Sequence, residues 1–135
     1  MATQPGAVYE PVQVQKMFFL MDRNIGKALG GQYFNFRPYD YGPYDKAVYS
    51  ELEALARMGL AQISVSPDWR QIRTFTLTAA GQAKGQAHTK MLPDDVRKYI
   101  RKVSLFVRSL SFAELVGAIY QAYPAMKKNS VFKTT

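Results

Sequence analysis

Residues 33–60 read YFNFRPYDYGPYDKAVYSELEALARMGL, and the order of turn, helix and stop in this stretch decides the fold expected of the chain. Seven of its first seventeen residues are aromatic: Tyr33, Phe34, Phe36, Tyr39, Tyr41, Tyr44 and Tyr49. Residues 33–36 alternate as a short strand does, until Arg37-Pro38 breaks the pattern, because the residue before a proline is pushed out of helical geometry. At the second turn Gly42 accepts backbone angles that other residues resist, and Pro43 fixes φ on the approach to a helix. Asp45 caps the first turn of that helix, and Val48, Leu52, Leu55 and Met58 fall on one face. Gly59 supplies the left-handed residue past the end, which folds Leu60 back onto Leu55.

The reading extends outward from there. Ala61, Ile63 and Val65 alternate with polar residues, Pro67-Asp68 turns the chain, and Arg73, Phe75 and Leu77 alternate on the return. This is a hairpin with Trp69 and Arg70 near its tip. Helix, glycine stop and hairpin occur in the order of a winged helix. Upstream, residues 1–9 are small, polar and interrupted by Pro and Gly, which predicts a frayed end. A helix follows from about Pro11, with Val12, Lys16, Met17, Phe19, Leu20, Arg23 and Ala28 in a mixed pattern, and Gly30-Gly31 ends it.

Downstream, Thr78-Ala79-Ala80-Gly81 opens a short helix that ends around His88, and Pro93-Asp94-Asp95 starts a longer one. On the longer helix Val96, Tyr99, Ile100, Val103, Phe106, Val107 and Leu110 occupy one arc. Arg97, Lys98, Arg101, Lys102 and Arg108 occupy the opposite arc. The last helix opens with a capping box, Ser111 with Glu114, and a hydrophobic staple, Leu110 with Leu115; Pro124 follows its end. The expectation is a single α+β, mostly helical domain over residues 1–135. It is a winged helix-turn-helix with a β-hairpin wing and additional C-terminal helices, residues 1–9 and 128–135 being flexible or extended.

Composition narrows the chemistry. The chain has 135 residues, 47% of them hydrophobic, enough for a sizeable core and against bulk disorder. It has no cysteine, which excludes disulfides, thiol nucleophiles and Cys-based metal sites. No basic region leads into a long apolar run, and residues 17–21 are far too short to span a membrane, so a soluble, cytoplasmic protein is expected. His88 is the only histidine, which rules out a His–His metal pair or a Ser–His–Asp triad within the chain. Glu51 and Glu53 point to different sides of their helix, and Asp45 serves as a cap, so no carboxylate pair is set for acid–base work. Gly26, Gly30 and Gly31 lack the Gly-Lys-Ser/Thr element of a phosphate loop. The expectation is no catalytic residue, no metal ligand, no cofactor and no enzymatic activity.

The net charge is +8, and its distribution is uneven. Residues 1–67 hold six Lys/Arg against six Asp/Glu; residues 68–135 hold twelve against four. A one-sided positive field attracts polyanions through counterion release. In a winged helix the helix at residues 45–58 reads the groove, yet here Lys46 and Arg57 face Asp45, Glu51 and Glu53, a net of −1. The candidate nucleic-acid contacts are therefore Lys46 and Ser50 on that helix, Arg70 and Arg73 on the wing, and Arg97, Lys98, Arg101 and Lys102 on the basic arc. The same arc fits a solvated face or an acidic protein partner. Tyr39, Tyr41 and Tyr44 fit either packed rings with backbone-bonded hydroxyls or a ligand or peptide pocket. DNA, a protein partner and a second copy of the chain are the candidate partners, with no membrane partner.

The run from Phe34 to Tyr44, with Tyr-Gly-Pro-Tyr at residues 41–44, Val48-Tyr49 and residues 52–60, resembles the YwgA-like bacterial proteins. These are relatives of the SocA-type antitoxin (Panacea) domains. Phe75-Thr76-Leu77-Thr78 with Gly81, and Tyr123-Pro124 with Asn129-Ser130, also fit, so the resemblance covers roughly residues 17–132. The Leu-Thr-x-x-Gly element is shared with many winged-helix proteins, including the MarR and PadR types. The resemblance implies a winged-helix core with added C-terminal helices and a role in regulation or in toxin–antitoxin pairs. It brings no catalytic residues. Two functional readings follow: a winged-helix DNA-binding or regulatory protein that contacts phosphates through its basic second half, or a non-enzymatic protein-binding module, an antitoxin or adaptor, on the same scaffold.

Overall fold

The computed structural model describes residues 1–132, and they form an α+β, mostly helical structure. In chain order the elements are α1 (Pro11–Ile25), β1 (Arg37–Tyr39), β2 (Gly42–Tyr44), α2 (Ala47–Arg57), β3 (Ala61–Val65), β4 (Arg73–Leu77), α3 (Ala79–Lys90), α4 (Asp94–Ser109) and α5 (Phe112–Ala122). Single 3-10 turns follow α1 at Lys27–Leu29 and α5 at Pro124–Lys127. The strands form two separate antiparallel hairpins, β1–β2 and β3–β4.

The centre of the structure is α1. It starts with Pro11 in its first turn, where a missing N–H costs nothing, and the Glu10 N–H donates to Gln13 Oε1 at 2.7 Å. Val14, Gln15, Lys16 and Met17 are all buried, with Phe19 and Asp22 further along. Four consecutive buried residues cover a full helical turn, so neighbours lie on every side. The α4 helix lies along it, and the two hairpins and α5 close the remaining faces. Val103 and Val107 of α4, Leu115 and Ile119 of α5, Val48 and Leu52 of α2 and Phe75 of β4 complete the core.

Several local signals act as the sequence predicts. Asp45 Oδ1 accepts from the Ala47 N–H at 2.9 Å, from two residues before the start of α2. Gly59 sits at φ +75, and the Leu60 N–H reaches the Leu55 carbonyl at 2.9 Å. Ser111 and Glu114 exchange both bonds of the capping box at the start of α5. The β3–β4 hairpin pairs Ala61 with Leu77 and Val65 with Arg73.

Two expectations change. Residues 33–36 are not a strand: the strand begins at Arg37 and crosses Pro38, pairing Arg37 with Tyr44 and Tyr39 with Gly42. Phe34 and Phe36 are instead held by ring contacts, Phe34 stacked on Phe18 at 5.9 Å and Phe36 edge-on to Phe19 at 5.4 Å. Residues 1–9 are packed rather than frayed. Tyr9 exchanges both backbone hydrogen bonds with Phe75, at 2.8 and 2.9 Å, on the edge of β4 that β3 leaves open. Ala7 and Tyr9 are buried while Val8 is exposed, a period of two that the small, polar composition conceals. At the other end the 3-10 turn carries the chain to Lys127, and the Val131 N–H donates to the Asp40 carbonyl at 2.9 Å. The flexible or extended reading of residues 128–135 lies, for 133–135, outside the described residues.

The Leu-Thr-x-x-Gly element has a mechanical cause. The Thr78 side chain accepts from the Gly81 N–H at 3.1 Å and donates to the Gly59 carbonyl at 2.7 Å, joining the start of α3 to the end of α2. Gly81 is there because its backbone presses on Leu60: a Cβ would collide with the Leu60 carbonyl oxygen. Overpacking of this kind costs about 1–3 kcal/mol. Gly81→Ala is therefore expected to destabilise the protein by about 2 kcal/mol despite alanine's better helix propensity. Urea unfolding measures this; a variant as stable as the parent refutes the close approach.

Candidate functional site

Two sites emerge from the residues singled out in the sequence. The first is a cavity of about 620 Å3 where the N-terminal half of α1 meets β1, β2 and the start of α5. Tyr39, Tyr41 and Tyr44 all line it, with Tyr49, Ile72 and Phe112. Tyr39 and Tyr44 lie on the same face of the β1–β2 hairpin, stacked at 5.1 Å and 29°. Tyr41 at the turn meets Phe112 edge-on at 5.1 Å, and Tyr44 meets Tyr49 at 6.0 Å. The rings thus pack against one another and also wall a space. Tyr39 and Tyr41 remain 54% and 45% exposed, which leaves the wall open to solvent.

The residue that the sequence reading missed at this cavity is Lys16. Its side chain is 3% exposed and its Nζ donates to the Pro43 carbonyl at 3.2 Å. Among the described residues no carboxylate pairs with it. Burial lowers its pKa from 10.5 to about 8, because an ammonium withdrawn from water is disfavoured relative to the neutral amine. The only signal in the sequence is a lysine flanked by Val14 and Met17, on a helix whose pattern was already mixed. Its neighbour Gln15 is also buried and is engaged at both ends of its amide: it accepts from the Asp45 N–H at 3.0 Å and donates to the Asp45 carbonyl at 2.9 Å. Burial raises the Tyr49 pKa.

The second site lies between the end of α3 and the start of α4. Arg97, Lys98 and Arg101 surround a depression of about 290 Å3 together with Thr3, Thr89 and Asp94. Arg97 pairs with Asp94. Lys98, Arg101 and Lys102 are exposed and, among the described residues, have no carboxylate partner. Thr3 Oγ1 is buried without a hydrogen-bond partner. Arg108, further along the same helix, places its guanidinium over the Tyr9 ring at 5.8 Å.

The remaining candidates are dispersed. Lys46 and Ser50 are exposed at the start of α2, beside the exposed Glu51, and the Ser50 hydroxyl turns back to the Lys46 carbonyl at 3.4 Å. Arg70 is held by Asp68 at 2.8 Å, a pairing that also keeps the Asp68 carboxyl below its ordinary range, and it borders the tyrosine cavity. Arg73 binds Glu53 at 3.1 Å and lies 5.0 Å over Tyr49. Both arginines of the β3–β4 hairpin therefore have acidic partners within the chain. Among the described residues no group of three or more His, Asp or Glu can hold a metal ion, and no helix is long and apolar enough to cross a membrane. Comparison of the chain with protein-family models, with curated proteins and with solved structures gave no match.

Lys16 has a direct consequence for stability. The unfolded side chain titrates near 10.5 and the folded one near 8. Between those values the unfolded state holds a proton that the folded state has lost, so stability rises with pH there. Below about 8 the charged, buried amine is a full liability. Lys16→Met removes this dependence. The parent is expected to gain about 3 kcal/mol on the variant as pH rises from 8 to 10.5. Urea unfolding of both proteins over that range tests it, and a flat difference means that the amine does not change its protonation there.

Proposed function

We propose that the chain is a non-enzymatic regulatory protein that binds a polyanion, DNA foremost, through the basic face of α4. In this reading the scaffold is a winged-helix variant: α2 stands in the groove-reading position, β3–β4 is the wing, and α3 to α5 are the added helices. The observation that carries it is the convergence of Arg97, Lys98 and Arg101 with Thr3 and Thr89 around one depression, with Lys98, Arg101 and Lys102 free of carboxylates. Cationic groups are the donors that phosphate oxygens take; of the two hydroxyls, that of Thr3 is without a partner while that of Thr89 donates to the Gly85 carbonyl. The wing and α2 have lesser parts, because Arg70 and Arg73 are already neutralised and Lys46 and Ser50 share their helix with Glu51. The resemblance to YwgA-like and Panacea domains agrees with a cytoplasmic regulator, and a homodimer suits a palindromic site.

A second reading, a protein-binding antitoxin or adaptor, is favoured by a different observation. Trp69 at the hairpin tip is 89% exposed, next to Val65 at 55%. Exposed tryptophan is the residue type most often found at the energetic centre of protein interfaces.

Fluorescence anisotropy on random-sequence duplex DNA across a salt series separates the two. The parent is expected to bind with an affinity that falls steeply with salt. Combined Lys98→Gln, Arg101→Gln and Lys102→Gln substitutions are expected to reduce the slope of log K against log salt by about 2.7, three lost phosphate contacts at about 0.9 each. Arg70→Gln and Arg73→Gln are expected to change it by less than one contact. Binding that survives the triple substitution unchanged refutes the α4 reading.

A further inference from the structure

The least explained group in the molecule is the Lys16 ammonium. It has three donors, of which one is used, on the Pro43 carbonyl at 3.2 Å. A buried charge without a counter-ion is costly, and the cost is relieved when an anion arrives beside it. Gly42 packs directly beside the amine. Its φ is +100, and a Cβ there would meet Tyr120 Cε1 at 3.2 Å, Lys16 Cε at 3.7 Å and Lys16 Nζ at 3.8 Å. Lys16 and Gly42 both line the cavity.

The cavity volume, about 620 Å3, falls within the range of small-molecule sites, about 300–1,000 Å3. Its walls are apolar and aromatic, with the Tyr39–Tyr44 stack on one side and the Tyr41–Phe112 edge contact on another. Apart from the tyrosine hydroxyls, its polar groups other than Lys16 are already engaged or repel an anion. Gln15 is spent on the Asp45 backbone, Arg70 is neutralised by Asp68, and Glu10 and Asp40 add negative charge. One cation, no second, and acids nearby suit a single negative charge better than a dianion such as a phosphate ester.

We infer that this cavity binds a small monocarboxylate with an apolar, ring-sized body, its carboxylate on Lys16 Nζ and its ring among the tyrosines. The site is separate from the basic face of α4, so its standing does not depend on whether the protein binds DNA. It assigns the Tyr-Gly-Pro-Tyr turn a role that packing alone does not require: Pro43 offers the ammonium its one carbonyl, Gly42 lets Lys16 and Tyr120 approach the turn closely, and Tyr41 and Tyr44 supply walls.

Isothermal titration calorimetry at pH 7 with 2-naphthoate and its neutral isostere 2-naphthamide tests this. The acid is expected to bind one to one and about tenfold or more tighter than the amide, the size of a charge-assisted hydrogen bond. In Lys16→Met the preference is expected to vanish. A second measurement needs no variant: in the parent, acid affinity is expected to fall as pH is raised above about 8, where Lys16 loses its proton. Lys16 is the one amine among the lining residues, the other charged or titratable groups about it being Glu10, Tyr39, Asp40, Tyr41, Tyr44, Tyr49, Arg70 and, from α5, Tyr120. No saturable binding of the acid, equal binding of acid and amide, or a preference that persists in Lys16→Met overturns the assignment.

Discussion

Three polar side chains buried on α1 hold the structure together around it. Gln15, Lys16 and Asp22 are all inside, and a buried polar group without a partner is expensive. Each finds its partner in the backbone of the same stretch. Asp22 accepts from the Tyr33 N–H at 2.8 Å, Lys16 donates to the Pro43 carbonyl, and Gln15 exchanges two bonds with Asp45. The aromatic segment between Tyr33 and Asp45 contains only the two three-residue strands of the β1–β2 hairpin, and these bonds fix its path along the helix. Asp45 extends the chain of dependence, since its carboxylate also accepts from the Asn35 and Ala47 N–H groups and so sets the angle at which α2 leaves.

Of the three, Lys16 is the one whose demand is only partly met. Gln15 can satisfy both ends of its amide against the backbone of a single residue, but an ammonium with three donors cannot do so against one carbonyl. The same contact that pins Pro43 therefore leaves residual donors and a charge beside an open, aromatic cavity. Structural necessity and binding capacity reside in one side chain.

Electrostatics follow a comparable logic at the surface. The excess of positive charge in the second half is plain from composition, yet it does not spread evenly over the folded chain. Folding gives Arg70 and Arg73 acidic partners, and places Arg108 over the Tyr9 ring. Among the described residues, Lys98, Arg101 and Lys102 on one face of α4 stay without an ion pair, as do Lys84 and Lys90 on α3. Sequence distance is no guide to this: Arg73 meets Glu53 across the turn from α2 into the hairpin, whereas Lys98, with Asp94 and Asp95 on the preceding turn of its own helix, makes no ion pair with either, and Arg101 and Lys102 have no acid at helical spacing.

The elements themselves were legible wherever the cause is local. The stop at Gly59, the capping box of Ser111 and Glu114, the alternation of β3 and β4 and the two arcs of α4 depend on residues a few positions apart, so periodicity and caps revealed them. Residues 33–36 and 1–9 were misread because their conformations depend on distant partners: Phe34 and Phe36 on the rings of α1, and Tyr9 on the open edge of β4. Tyr39, Tyr41 and Tyr44 could be identified as a cluster from spacing, but not as a wall, because a cavity exists only between elements. Lys16 was invisible as a site for the same reason. By itself the sequence determined the helices, the hairpin and where the charge is concentrated; only the tertiary structure decided which charges are neutralised and which one is buried, because burial and pairing arise from contacts between segments far apart in the chain.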